Sequence, residues 1–169
     1  MAAQIARDAQ LDDLAIDALH MLPFVDTDTA SQLKWNQQAL DLAHTTQQPE
    51  ARRWETMLRH NMAYALHQAA RLEEALALFQ SNIEPTQRRG NTEETRIAHW
   101  MVAWTLRGLK RLDEALVIQL RLERENDADK TPDPYVFEEL AHLYRARQDG
   151  KRAGFYDARL KATRTAAAP

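Results

Sequence analysis

MAYALHQAARLEEALALF (62–79) recurs forty residues later as VAWTLRGLKRLDEALVIQ (102–119), and once more, thirty-eight residues on, as LAHLYRARQDGKRAGFYD (140–157). The three stretches align without a gap. Ala63, Ala103 and Ala141 each stand twelve residues before a second alanine, Ala75, Ala115 and Ala153. Leu66, Leu106 and Tyr144 hold the same place between them. Each stretch reads as two helices joined by a tight turn. A small residue in each helix lets the two backbones approach closely, and the larger side chains beside it fill the groove between neighbouring pairs.

The rest of the chain supports helices throughout. Among 169 residues there are only four glycines and six prolines, helix formers dominate, and no segment alternates with period two. Punctuation residues then predict eight helices. The first covers 4–22 and stops at Pro23. The second covers 29–46 behind caps at Asp26–Asp28, and the third runs from Pro49 to 68. The fourth covers 71–84, which Pro85 kinks or ends, and Gly90 marks the stop. The fifth covers 92–107 behind a capping-box-like Asn91 and Glu94, and Gly108 breaks it. The sixth covers 111–126, followed by a loop, NDADKTPDP. Asp133 caps the seventh, 134–147, and the eighth covers 151–164 before a frayed tail at 165–169. The expectation is one all-α domain over 1–164, with repeats at about 5–46, 50–89, 92–127 and 133–164.

Composition narrows the function. The net charge is −3, with 22 basic and 25 acidic residues and no basic block, so nucleic acid is not an expected partner. Absence of cysteine removes disulfides, thiolate zinc sites and a cysteine nucleophile. The acidic N-terminal stretch does not read as a signal peptide, and no apolar run approaches the roughly 18 residues of a bilayer span. A cytoplasmic protein with no membrane partner is therefore the expectation. His60 and His67 share a helix face, but no third ligand accompanies them. Neither a P-loop, a GxGxxG nor a GxSxG is present, so no catalytic residue, metal or cofactor is expected.

The repeated blocks resemble tetratricopeptide repeats, whose pattern places small residues at these two positions, a large residue between them, and an aromatic after the second, here Phe79. The likeness is strongest over 56–161. It departs from the pattern in repeat length, in Arg59, His99 and Phe137 at the tryptophan position, and in Gln119 and Asp157 at the second-helix aromatic. Residues 5–46 form a weaker first pair, with Ala39 at one small position and Gln32 where the other is expected. The resemblance implies a right-handed superhelix of about four antiparallel helix pairs, whose concave groove binds a protein or peptide partner.

The resemblance also assigns groove positions. They are Met57, His60, Asn61, Tyr64 and His67 in the second block, and Ile97, Trp100, Met101, Trp104 and Arg107 in the third. The fourth contributes Tyr135, Glu138, Glu139, His142 and Arg145. Trp100 and Trp104 become the aromatic anchors, about 40° apart on the helical wheel. The lysines of the carboxylate-clamp subclass are absent, so Arg107 and Arg145 are the groups left for an acidic ligand. Two rival readings remain: an oligomerisation segment that buries the aromatic patch in a homodimer, and a small-molecule sensor with a His- and Trp-lined pocket.

Overall fold

The computed structural model describes residues 2–166, and no strand occurs among them. Its contacts divide the chain into two compact units, Met1–Gly90 and Asn91–Pro169. The first holds α1 (Ala2–Asp8), α2 (Asp12–Val25), α3 (Thr29–Thr45), α4 (Pro49–Arg52), α5 (Glu55–Gln68), α6 (Leu72–Ser81) and α7 (Ile83–Arg88). The second holds α8 (Thr92–Gly108), α9 (Leu112–Ala128), α10 (Pro134–Ala146) and α11 (Gly150–Ala166).

Within the first unit α2 packs on α3, α3 on α5 and α5 on α6. Ile16, Leu19, Ala39, Ala43, Ala51 and Leu58 form its core. Within the second unit α8 packs on α9, α9 on α10 and α10 on α11. Leu122, Val136, Phe137, Leu140, Ala141, Tyr144, Ala153 and Tyr156 form its core, with Trp100 packed partly against it. The six alanines picked out by the twelve-residue spacing are all buried, none more than 3% exposed.

The turn between the helices of each repeat has a common construction. Ala70, Lys110 and Gln148 all adopt φ near +60°. The next residue donates its N–H to the large residue of the repeat: Arg71 to the Leu66 carbonyl, Arg111 to Leu106 and Asp149 to Tyr144, each at 2.9 Å. These are Schellman closures made without glycine. The near-identical phrases that follow also fold alike. Arg71 grips Glu74, and Arg111 grips Glu114, through paired 2.7 Å hydrogen bonds.

Several boundaries differ from the sequence reading. The first expected helix is two, α1 and α2, broken where Gln10 takes φ 56° and Leu11 N–H closes on the Ala6 carbonyl; no glycine or proline announces this turn. Pro23 does not stop α2 but lies inside it. So near the C-terminus it forfeits one backbone bond, while Asp26 N–H still closes on Leu22. The third expected helix is interrupted at Arg53–Trp54. The fourth ends at Ser81, and Pro85 sits within α7. There Asn82 turns inward and donates to the Thr56 carbonyl at 2.9 Å. Gly108 does not break α8, because the left-handed residue is Lys110, two positions on. α9 runs two residues past its expected end at 126, to Ala128. α11 includes Thr165 and Ala166 of the expected tail, whose remaining residues, 167–169, lie outside the described region.

The caps read from sequence are present. Asp28 accepts from Ser31 N–H at 2.8 Å, Asn91 from Glu94 N–H at 3.1 Å, and Asp133 from Tyr135 N–H at 2.8 Å. The second-helix aromatic position shows what the departures from the repeat pattern do. Phe79 is buried in α6. Gln119 is equally buried in α9, yet neither atom of its amide has a hydrogen-bond partner. An unpaired buried amide costs about 1–3 kcal/mol.

Two stability predictions follow from these local features. Gln119→Met removes the unpaired amide at similar shape and should raise unfolding free energy by about 1–3 kcal/mol, read by urea denaturation; no gain would mean the amide is satisfied in solution. Ala70→Gly relieves the left-handed strain of a β-carbon and should stabilise by about 1 kcal/mol net of the glycine entropy. Ala70→Val should destabilise.

Candidate functional site

The two tryptophans of α8 lie side by side. Being four residues apart on one helix face, their rings stack with centroids 5.9 Å apart and planes 19° from parallel. Both are half-buried. Trp100 is held on two sides. Its indole N–H donates to the Tyr135 carbonyl in the first turn of α10 at 3.2 Å, and the Tyr135 ring meets it edge-on at 6.4 Å. Ile97, one turn before Trp100, and Tyr135 are both exposed. Ile97, Trp100, Trp104 and Tyr135 thus form an aromatic and aliphatic surface on α8 and α10, rigid because Trp100 is tied to both helices.

The charged residues nearby are committed to one another. Arg107, in the last turn of α8, donates Nε to Glu139 Oε1 at 2.5 Å and an Nη to Oε2 at 3.1 Å. The Glu139 side chain is 3% exposed. A buried carboxylate needs such a partner, so the fork of Arg107 is filled from inside the protein. Arg145 pairs with Asp157, and Glu138 with Arg164 at 3.1 Å. The two arginines assigned to an acidic ligand therefore already have carboxylate partners. His142 is exposed on α10. Met101 departs from its assigned face. It is 6% exposed and buried with Ala98 and Val102, because it lies 100° around the helix from Trp100.

The positions assigned in α5 belong to the first unit. Met57 and Tyr64 are exposed, and His67 is half-buried. The His60 ring meets Phe79 edge-on at 5.6 Å, and burial lowers its pKa. Asn61 shares a 3.2 Å contact with the His20 ring nitrogen from α2. His20 in turn lies against Phe24, at 5.3 Å, and Trp54, at 5.5 Å. Trp54 donates its indole N–H to Asp13 at 2.7 Å. This cluster ties the first helix pair to α5 and was not read from the sequence. The i, i+4 spacing of His20 and Phe24 was its one legible sign. Among the described residues no group of three His, Asp or Glu side chains is placed to hold a metal ion, and no helix is long and apolar enough to cross a membrane.

No family model matches the sequence, and no curated protein matches it. Solved structures do. The nearly identical TPR-like repeats of a kinesin light chain-like protein from Podosopora anserina superpose at a TM-score of 0.57, and at 0.58 in a variant form. In both, identity is 14%, covering 95% of this chain and 90% of that one. BtubC (BKLC) from P. vanneervenii superposes at 0.50, with 14% identity over 98% of this chain and 87% of that one. The fold is thus a TPR-like helical repeat, as the repeated blocks implied.

The His60 environment gives a pH signature. Its folded pKa lies below the ordinary 6.5 because burial disfavours the charged ring. The unfolded chain therefore takes up the proton first as pH falls. His60 contributes stability that is present above pH 6.5 and is lost as pH drops through the folded value. His60→Gln should flatten the fall of melting temperature between about pH 7 and pH 5.5; an unchanged slope would place the ring in water.

Proposed function

We propose that the protein is a non-catalytic binding module, working in the cytoplasm, that docks a protein or peptide segment on the α8–α10 surface around Trp100 and Trp104. One observation carries the reading: two stacked, half-exposed tryptophans fixed by an indole hydrogen bond and flanked by exposed Ile97 and Tyr135. Large aromatic side chains held rigid lose little entropy on binding and are the residue type that dominates binding hot spots. A helical repeat supplies such a surface largely preformed.

The chemistry of the preferred segment follows from the ion pairs. Arg107 is neutralised by Glu139 and Arg145 by Asp157. Bidentate capture of an acidic tail through the same edge of Arg107 would displace Glu139 and strand a buried carboxylate, a cost of about 3–5 kcal/mol. An apolar or aromatic segment has no such cost, since it gains from covering Ile97, the tryptophan pair and the Tyr135 ring. The fold likeness supports this class of role and leaves the partner open, because the same architecture serves unrelated processes.

The test is a peptide-display selection on the wild-type chain, followed by titration of the recovered peptides against variants. Peptides with aromatic or aliphatic anchors are expected, each binding Ile97→Glu and Trp104→Ala at least tenfold more weakly (about 1.4 kcal/mol). Ile97→Glu should melt like the wild type, since Ile97 is exposed. Recovered peptides that bind both variants undiminished, or a selection that yields only acidic peptides, would overturn the proposal.

A further inference from the structure

α9 (Leu112–Ala128) and α11 (Gly150–Ala166) are the second helices of successive repeats, and they begin and end 38 residues apart. In α9, five positions on one face receive the next helix pair. Gln119, Leu122 and Asn126 are buried. α10 packs on this helix, and Leu122 lies in one core with Val136, Phe137 and Leu140. Glu123 accepts a hydrogen bond from the Tyr156 hydroxyl of α11 at 3.0 Å and pairs with Arg159. Asp127 accepts from Arg159 at 2.8 Å. Thirty-eight residues on, the same five positions are Asp157, Leu160, Lys161, Arg164 and Thr165. Those are the residues that line an open cavity of about 440 Å³ on α11. Every residue of the cavity wall thus stands where the preceding repeat holds its successor.

We infer that this cavity is a docking site for an acidic amphipathic helix of a partner protein. That the occupant is a helix follows from the preceding repeat, whose equivalent face is covered by α10 and α11. That it is acidic follows from what changes between the two faces. The α9 face carries Glu123 and Asp127, and the helix it receives brings the cation Arg159. In α11 those two positions are Lys161 and Thr165, and Asn126 is replaced by Arg164. The face has changed sign. Another helix pair like α10–α11 would bring an arginine against Lys161, so charge excludes it. Lys161 is exposed, and no carboxylate pairs with it among the described residues. Arg145 adds a third cation. It stands in α10 where Arg107 stands in α8, and Arg107 holds the carboxylate of Glu139 from the following first helix.

Arg145 rests on Asp157, and Arg164 on Glu138 at 3.1 Å. Both pairs are half in water, where an ion pair contributes little, so an incoming carboxylate exchanges for them at small cost. The three cations also outnumber the two carboxylates they face. Beneath them Leu160 is only partly buried against the core of the second unit. With the methylene stems of Lys161 and Arg164 it offers an apolar floor to the partner's apolar stripe. The face runs eight residues along α11, about 12 Å, so two to three turns of the partner lie against it.

The test uses the full chain and two fluorescein-labelled, side-chain-stapled helices of about four turns. Both carry leucine and alanine on one face; one has glutamates along its flanks and the other lysines. By fluorescence anisotropy the glutamate helix should bind the wild type roughly tenfold or more tightly than the lysine helix. In the double variant Lys161→Glu/Arg164→Glu the preference should reverse. Both positions are exposed, so this variant should melt like the wild type. Ile97→Glu should bind the glutamate helix undiminished. A glutamate helix that binds no better than the lysine helix, or a preference that survives the double variant, would overturn the inference. A wild-type chain that self-associates with rising concentration, while the double variant stays a monomer, would make this chain its own occupant and overturn the separate partner. The peptides selected on the α8–α10 surface should bind the double variant normally, so failure here and failure of that reading remain distinguishable.

Discussion

The structure depends on close approach of two helices at paired small residues. Ala63 and Ala75, Ala103 and Ala115, and Ala141 and Ala153 are buried where α5 packs on α6, α8 on α9 and α10 on α11. These alanines are buried, so a larger residue there would press the helices apart and strain the pair by about 1–3 kcal/mol. The turn that brings the helices together is equally fixed, through a left-handed residue and one N–H closing on the carbonyl of Leu66, Leu106 or Tyr144. The large residue of each repeat therefore serves both as core filling and as the acceptor that ends its helix.

Once the pair geometry is set, the first helix of each pair can carry other duties on its remaining faces. In α8, one face is core through Ala98, Met101, Val102 and Thr105, while Ile97, Trp100 and Trp104 lie outside it. The tryptophans combine both roles. Trp100 touches the core of the second unit and still presents part of its surface. The Arg107–Glu139 pair at the end of this surface illustrates how burial decides chemistry. An arginine that reads as an acid receptor in sequence becomes the counter-ion of a carboxylate that α10 buries. What remains exposed is apolar, and that directs the functional reading toward an apolar segment.

The N-terminal helices show a different balance. The first pair lacks the regular small-residue spacing, and α2 is held by polar and aromatic contacts in addition to its core residues Ile16 and Leu19. His20 contacts Asn61, Trp54 contacts Asp13, and Thr46 donates to Asp12. These contacts fix one side of α2 and leave the Leu14–Met21–Val25 side in water.

Helix content, pair count over the three repeated blocks, the caps at Asp28, Asn91 and Asp133, and the burial of six alanines were all legible in the sequence. Each follows from local chemistry or from spacing that one helix imposes on itself. The breaks at Gln10 and at Arg53–Trp54 were not legible, because residues without special backbone preference adopt them under tertiary packing. The continuation of α2 through Pro23 was hidden for a related reason, since one lost backbone bond near a helix end is too small to stop a packed helix. On the candidate surface, the sequence alone determined that Trp100 and Trp104 share a face, because the helical period does so by itself. That Arg107 is occupied, that Met101 is buried, and that α2 keeps its Leu14–Met21–Val25 side in water were decided only by tertiary structure, because each depends on which other helix lies alongside.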